Sequence, residues 1–311
     1  MLLAYFFQWH DLYKYAIIII QIFNIKENMN ILKTFLLLGA LSALAVFLGN
    51  VFAGNTGMLI MLFISLAINF FSYWYSDKIV LKMSGAQPLK KSEMPEIFNM
   101  VEEITHRANL PMPKLYMTND MQPNAFATGR NPDHASVAVT AGLVQLLDKN
   151  EIKGVLAHEI AHIKNRDILI GSIAAMFAAV ISYAANIFQW TAIFGGSNSD
   201  DEESGSGNMI SSLALAIIAP IAALLIQMAI SRSREYLADE TGARLVNDSG
   251  GLSNALLKLE KAAHHVPLAH ANPSTAHMYI SNPLRGGGLF SLFSTHPATK
   301  DRVAKLTALP L

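Results

Sequence analysis

The chain has 311 residues, of which 52% are hydrophobic and only 15% are charged; soluble globular domains usually carry about 25% charged residues, so the composition argues against an ordinary soluble enzyme and excludes intrinsic disorder. Lys plus Arg and Asp plus Glu number 23 each, so there is no excess of positive charge for binding nucleic acid. Cysteine is absent, which excludes disulfides, thiolate metal sites and a cysteine nucleophile.

The first predicted elements are membrane helices. Residues 1–28 are an N-terminal extension, either an interfacial helix or a segment upstream of a native start at Met29, because Met29 to Lys33 resembles the basic start that precedes a first span. No charged residue occurs between Lys33 and Asp77, a length of about two spans. We therefore predict transmembrane helices at about 33–51 and 58–76, joined by a turn at 52–57, so that 29–76 is a membrane hairpin.

Two further apolar runs follow later in the chain. They occupy 168–230 and predict a second pair of transmembrane helices, joined by the acidic loop 195–208. The loops 52–57 and 195–208 contain no Lys or Arg. By the positive-inside rule these loops lie outside, and the soluble segments lie in the cytoplasm.

The soluble segments 77–167 and 231–311 are together long enough for one domain with a hydrophobic core. Helical periodicity and short β-branched runs predict, in order, a helix at 93–107, strands at 114–117, 124–128 and 136–140, and helices at 141–147, 251–265 and about 298–309. The expected fold is a mostly α membrane protein, with four transmembrane helices and a cytoplasmic α+β domain that contains a small sheet.

The chemistry lies in the pattern H-E-x-x-H at 158–162. On a helix, His158 and His162 project from one face, so both imidazoles can reach one zinc ion. Glu159 is placed to take a proton from a zinc-bound water. A hydrolytic zinc has three protein ligands, and the extended pattern that supplies a third histidine fails because Ile168 stands at its position.

The third ligand must therefore be a carboxylate or a distant histidine. Glu235 and Asp239 are four residues apart, a spacing that lets Glu235 bind zinc while Asp239 accepts the free N–H of a ligating histidine. The neighbouring Arg232, Arg234 and Arg244 make a solvated, ion-paired helix face an equally good interpretation. Spacing alone leaves both open.

A family resemblance bears on that choice. H-E-I-A-H, a long hydrophobic insertion and then S-R-S-R-E-Y-L-A-D resemble the gluzincin family of membrane-integrated bacterial zinc metalloproteases, which includes the type I CAAX prenyl protease. Further matches are N-A-F-A-T-G at 124–129 and S-T-H-P at 294–297, with Arg302 downstream. The resemblance covers about 29–311 and departs only at the extension 1–28.

The resemblance implies a zincin-like catalytic domain with one Zn²⁺ per subunit. It implies His158, His162 and Glu235 as metal ligands, Glu159 as the catalytic base and Asp239 as the partner of a ligand. It also implies an edge strand along which the substrate lies, formed by Asn124, Ala125, Phe126 and Ala127. Unpaired backbone groups of an edge strand can bind an extended peptide, although a plain core strand is the alternative interpretation. His296 is a possible oxyanion stabiliser, or else a cap of the last helix.

The predicted function is that of a zinc-dependent endopeptidase of the bacterial inner membrane, in contact with the lipid bilayer and with its catalytic domain in the cytoplasm. Its expected substrates are misfolded or damaged membrane proteins and other polypeptides, in stress response and quality control. Other membrane quality-control proteases are candidate partners. One alternative is a processing protease with a single defined peptide substrate, like the CAAX protease. Another is a membrane transporter or sensor with a structural zinc, which the lack of ionisable residues in the four apolar runs disfavours.

Overall fold

The computed structural model describes residues 25–174, 176, 232–263 and 297–311. Most of the predicted third span, the acidic loop 195–208, the predicted fourth span and His296 lie outside the described residues. So do most of the extension 1–28 and the histidines at 264 and 265.

The first element is a long helix broken in the middle. Helix α1 (Ile25–Met83) is interrupted at Ala53 and Gly54, which have non-helical backbone angles. Gly54 has φ 58°, a left-handed conformation that glycine adopts without steric cost. The break lies inside the predicted turn 52–57, and the second arm runs past the predicted end at 76 to Met83.

The two arms of α1 have the length and composition of membrane spans. The apolar stretches are Leu32–Val51 and Ala53–Met83, and only 22% and 17% of their most apolar windows are buried inside the protein. Large side chains such as Phe35 and Phe63 are 63% and 69% exposed. A core helix of a soluble protein would bury these side chains, whereas a bilayer covers them.

The arms also contact each other and the rest of the protein. The Asn69 side-chain amide donates to the Ser42 hydroxyl across the hairpin at 2.9 Å. The first arm packs through Leu37 and Leu38 against the helical residues 168–174. The end of the second arm packs through Val80 and Leu81 against the sheet. The start of the third apolar run therefore lies beside the first arm.

A small mixed sheet forms one layer of the soluble domain. Its strands are β1 (Gln87–Pro88), β2 (Lys114–Thr118), β3 (Ala125–Gly129) and β4 (Ala135–Thr140), in the order β1-β2-β4-β3. Strand β4 pairs in parallel with β2 and antiparallel with β3. Among the described strands, β3 is therefore an edge strand. Strand β1 was not predicted, because two residues are too few to show an alternating pattern.

The described residues contain seven α-helices besides the helical start of the third apolar run at 168–174. After α1 come α2 (Pro95–Ala108), α3 (Ala141–Leu146), α4 (Lys149–Lys164), α5 (Arg232–Val246), α6 (Gly250–Ala263) and α7 (Thr299–Thr307). The expectation of a mostly helical protein with a small sheet is confirmed. Of the four predicted spans, the described residues contain the first two complete and the start of the third.

Helix α4 is the centre of the domain. A capping box starts it, in which the Asp148 carboxylate accepts from the N–H of Glu151 and the Glu151 carboxylate accepts from the N–H of Asp148. The helix packs against α2, α5, α6 and β3. Val155, Leu156 and Ile160 are fully buried in the resulting core. Because α4 is held on every side, its polar residues keep a fixed orientation.

Two glycines allow the close packing around α4. A Cβ on Gly154 would lie 2.4 Å from the backbone nitrogen of Leu252 in α6. A Cβ on Gly242 of α5 would lie 3.0 Å from backbone atoms of Ala157 and His158. Helices α5 and α6 therefore approach the backbone of α4 at distances that a larger residue at these positions does not allow.

We expect Gly154→Ala to destabilise the domain by about 1–3 kcal/mol, because the clash with backbone outweighs the gain of up to about 1 kcal/mol in helix propensity. Gly250→Ala is the control, since its Cβ would meet only the flexible carboxylate of Asp248 at 3.2 Å. Thermal unfolding of the two purified variants in detergent measures the difference. Equal melting temperatures would contradict the close approach of α4 and α6.

Candidate metal centre

Three side chains from two helices meet at one point in the domain. His158 and His162 lie one turn apart on α4, and Glu235 lies in the first turn of α5. Their nitrogen and oxygen donor atoms lie within 4.8 Å of one another. His158 and Glu235 are buried, and His162 is half-buried. The tight contact at Gly242 brings the two helices close enough for this convergence.

The distances between the donor atoms match a shared metal ion. The two Nε2 atoms are 3.1 Å apart, and they lie 3.7 Å (His158) and 3.6 Å (His162) from the nearer oxygens of Glu235. Two donors bound to one tetrahedral ion at about 2.0–2.1 Å are about 3.4 Å apart. Two nitrogens and one carboxylate oxygen are a usual donor set for zinc and related divalent ions. The residues therefore fit a divalent metal.

A carboxylate lies beside Nδ1 of each imidazole and orients the ring. Asp239 Oδ1 lies 3.0 Å from His158 Nδ1, and Asp167 Oδ2 lies 3.2 Å from His162 Nδ1. An Nδ1–H donated to a carboxylate leaves the Nε2 lone pair for a metal and makes the ring more basic. The family resemblance implied this role for Asp239, which its spacing to Glu235 alone had left open. Asp167 was not predicted.

A turn after α4 brings Asp167 to His162. The helix ends at Lys164 with Asn165 as its C-cap, Arg166 takes a left-handed φ of 61°, and helical structure resumes at Ile168. The Asp167 backbone N–H donates to the carbonyl of His162, which closes the turn. Helix α4 therefore does not continue directly into the third apolar run. A straight helix would place position 167 on a different face from His162.

Arg302 of α7 completes the cluster. Its Nε and Nη2 donate to the two oxygens of Asp239 at 2.8 and 2.7 Å, and its Nη1 lies 3.8 Å from Glu235. Only 1% of the side chain is exposed. Burial by itself would raise the pKa of Asp239, but the charge of Arg302 and the bonds from it hold that pKa below its usual value. Arg302 thus keeps Asp239 ionised as an acceptor for His158.

The buried charges of this cluster do not cancel. Its charged side chains, all at least nine-tenths buried, are four carboxylates and two guanidinium groups, namely Glu159, Asp167, Glu235, Asp239, Arg234 and Arg302. With all of them ionised and the histidines neutral, the cluster carries a net charge of −2. An uncompensated buried charge is very costly. A divalent cation at the histidines neutralises the cluster.

The pKa shifts of Glu159 and His162 also indicate that this site favours positive charge. Burial raises the pKa of Glu159, although the two histidines partly offset the rise. Burial also lowers the pKa of His162, but the hydrogen bond with Asp167 and the charge of Glu235 outweigh it and raise the value to about 9. In the absence of metal, His162 therefore carries a proton at neutral pH. Metal binding at Nε2 displaces that proton.

Strand β3 presents alternate backbone groups to this site. Asn124 and Thr140 form a backbone-bonded pair, in which the Thr140 N–H donates to the Asn124 carbonyl. In an antiparallel ladder, bonded and non-bonded pairs alternate, so Phe126 also bonds to β4, while Ala125 and Ala127 direct their backbone groups to the open edge. The Ala127 backbone lies beside the Glu159 carboxylate and acts to lower its pKa, although burial outweighs this effect. The side chain of Phe126 is buried in the core.

The far end of β3 is tied to the start of the third apolar run. The backbone N–H of Gly129 donates to the Ser172 hydroxyl at 3.1 Å, and the Thr128 hydroxyl lies 2.6 Å from the same atom. Ser172 is itself anchored to the carbonyl of Ile168. Of the predicted strand residues, Ala125 and Ala127 therefore offer backbone groups at the open edge, whereas Asn124 and Phe126 hold the strand in the sheet.

Comparison with known proteins agrees with this arrangement. The family model described as peptidase family M48 matches residues 91–309. The chain belongs to peptidase family M48. That range contains every described residue of the metal centre. The predicted family resemblance is confirmed, and the chain is a metalloprotease with apolar, membrane-type helices at its N-terminal end.

Individual M48 relatives cover almost the whole chain. The protein named "Protease HtpX homolog" from Pelotomaculum thermopropionicum is 55% identical over 283 residues, which is 91% of this chain and 100% of the relative. A protein of the same name from Aquifex aeolicus is 50% identical over 91% of this chain and 92% of its own. The crystal structure of S. mikatae Ste24p is similar with a TM-score of 0.47 and 17% identity, over 94% of this chain and 66% of that one.

We expect Glu235→Ala to abolish stable metal binding, because two histidines alone hold a divalent ion poorly. Asp239→Asn should lower metal affinity about 10–100-fold, since it weakens the orientation of His158 and removes no ligand. Glu240→Ala is the control, because Glu240 is adjacent to Asp239 but pairs with Arg244 at the surface. Elemental analysis of the purified variants measures the metal content. Full metal content in Glu235→Ala would rule out Glu235 as a ligand.

Proposed function

We propose that the chain is a zinc-dependent endopeptidase whose metal is held by His158, His162 and Glu235. The convergence of these three donors beside the buried Glu159 carries the proposal. Their geometry suits tetrahedral zinc, with a fourth position left for water. The set of two histidines from H-E-x-x-H and a glutamate from a later helix is that of the gluzincins.

The residues of this chain then have distinct roles in peptide hydrolysis. Zinc bound at this site would polarise the scissile carbonyl and make the attacking water acidic. Glu159 accepts the proton of that water and passes it to the leaving amine. Asp239 and Asp167 hold the two imidazoles in the tautomer that presents Nε2. Arg302 keeps Asp239 ionised.

The open edge of β3 supports a role in substrate alignment. A substrate in extended conformation can pair with the backbone groups of Ala125 and Ala127, and it then runs past Glu159. Such pairing recognises the substrate through its backbone hydrogen bonds and gives little specificity for its side chains.

This arrangement favours a catalytic zinc over the structural zinc of a transporter or sensor. A structural site is closed by four protein ligands. The described residues bring three ligands together, and they place a buried carboxylate and an open strand edge beside them. A carboxylate beside the ligands is needed to activate water and has no role in a purely structural site.

The natural substrates that we propose are misfolded or damaged membrane proteins, cut at cytoplasmic loops and ends in the bacterial inner membrane. The contact of Ser172 with β3 supports this, because it places the edge strand directly beside the start of an apolar run. A site that pairs with backbone accepts any chain that is locally unfolded. A protease with a single defined peptide substrate would instead need pockets for particular side chains.

We expect Glu159→Gln to abolish cleavage of an unfolded substrate such as casein while retaining zinc, because the amide cannot accept the proton of water and Glu159 is not a ligand. Glu240→Gln is a matched control at an exposed carboxylate and should cleave normally. Zinc content and cleavage are measured on the same preparations. Cleavage by Glu159→Gln at the parental rate would refute the mechanism.

Membrane orientation gives an independent prediction. A reporter enzyme that is active only outside the cytoplasm should work when inserted at Asp201 and fail when fused after Leu311, because 195–208 lacks Lys and Arg. Expression of both fusions in a bacterial host measures the two activities. The opposite pattern would place the catalytic domain outside and exclude cytoplasmic substrates.

A further inference from the structure

A large cavity lies away from the metal centre, where the membrane helices meet the soluble domain. Its volume is about 850 Å³, within the range of about 300–1,000 Å³ usual for small-molecule sites. Its walls come from both arms of α1, the residues just after β3 and the turn after α4. These elements place it where the first span begins, the second ends and the third begins.

The cavity has an apolar wall and a cationic wall. The apolar wall includes Phe35, Leu38 and Leu169. Phe35 is also exposed on the surface of α1, so the apolar wall is continuous with that surface. The cationic wall contains Arg130 and Arg166. Among the described residues that line the cavity, none is Asp or Glu. The described lining therefore contains two guanidinium groups and no carboxylate, next to a surface suited to hydrocarbon.

Both arginines are held in place by the fold. The guanidinium of Arg130 lies 4.6 Å from the ring centre of Trp74, a cation–π contact. Trp74 and the adjacent Tyr73 are 42% and 36% exposed near the end of the second arm, as in the aromatic belts at membrane interfaces. Arg166 is fixed by the left-handed turn that ends α4. The aromatic pair thus places the cationic wall at the depth of lipid headgroups.

We propose that this cavity binds one anionic glycerophospholipid of the leaflet that faces the catalytic domain. Its phosphodiester is held by Arg130 and Arg166, and its acyl chains lie along Phe35, Leu38 and Leu169. Arginine is well suited to phosphate, because its planar N–H donors form charge-assisted hydrogen bonds to two oxygens at once. A free phosphate would use the arginines but leave the apolar wall without a partner, and it is therefore the less suitable ligand.

Both arginines are adjacent in the chain to residues of the metal centre or of the strand beside it. Arg130 directly follows Gly129, the last residue of the strand that borders Glu159. Arg166 lies in the turn that presents Asp167 to His162. A lipid bound between them bridges the end of the strand and the end of the metal-binding helix. This lipid site follows from the cavity and its charges, and it does not depend on the identity of the metal or the substrate.

The test is lipid binding to the full-length protein in a neutral detergent, measured by native mass spectrometry during titration with phosphatidylglycerol. We expect a single bound copy, with weaker binding of zwitterionic phosphatidylcholine. In Arg130→Gln/Arg166→Gln the affinity should fall about 25-fold, since each arginine near an anionic headgroup contributes about fivefold. Lys78→Gln/Lys82→Gln removes two exposed positive charges from the same end of α1 and should bind as the parent does.

Two further measurements distinguish a bound lipid from a free phosphate. Gly39→Leu fills the apolar side of the cavity without a clash, because nothing lies within 4 Å of its Cβ position, and it should weaken phosphatidylglycerol binding while keeping both arginines. Inorganic phosphate and the water-soluble headgroup glycerophosphoglycerol should compete poorly with the lipid. Loss of binding in the arginine pair and in Gly39→Leu, but not in the lysine pair, supports the proposal.

Three outcomes would overturn the proposal. Unchanged affinity of Arg130→Gln/Arg166→Gln for phosphatidylglycerol would show that the cationic wall does not contribute to binding. Equal binding of phosphatidylcholine would show that charge is not recognised. Displacement of the lipid by glycerophosphoglycerol or inorganic phosphate at equal concentration would show that the site binds phosphate without acyl chains. Circular dichroism of each variant checks that it is folded.

Discussion

A buried negative charge is the constraint on which the rest of the structure depends. Four carboxylates and two guanidinium groups are enclosed around two histidines, so the acidic groups outnumber the basic ones by two while the histidines are neutral. A divalent cation removes this charge, so metal binding stabilises the folded domain as well as enabling hydrolysis. This explains why Arg302 is buried so deeply: it balances part of the acidic charge and leaves a deficit that a divalent ion fills.

The cluster also requires that distant parts of the chain come together accurately. The ligands and their partners lie on α4, on α5 and on α7, and the apolar segment 168–230 separates α4 from α5 in sequence. Gly154 and Gly242 allow neighbouring helices to approach the α4 backbone closely. Packing on every side of α4 then fixes the imidazoles to within the tolerance of a metal site. This apolar segment is inserted between two parts of one site, because the chain leaves the site at Asp167 and returns to it at Arg234.

Local spacing predicted much of this site, and long-range contacts account for the remainder. His158, Glu159 and His162 could be assigned because a helical spacing of four fixes their geometry. Glu235 and Asp239 were ambiguous, since the same spacing suits a solvated helix face, and only packing against α4 distinguishes the two. Asp167 was missed because its role depends on a left-handed residue at Arg166, where the sequence has no glycine. The alternation along β3 was likewise not predictable, since it is set by the pairing of Asn124 with Thr140.

The hydroxyl of Ser172 has a consequence for the length of the open strand edge. It occupies the N–H of Gly129, so that the edge available for pairing ends at Ala127. Ser172 belongs to the helical residues 168–174, so the position of these residues decides whether this hydrogen bond forms. A displacement of the segment that breaks this one hydrogen bond adds a third residue to the edge. The number of backbone groups exposed along the edge of β3 is therefore coupled to the position of the helical residues 168–174.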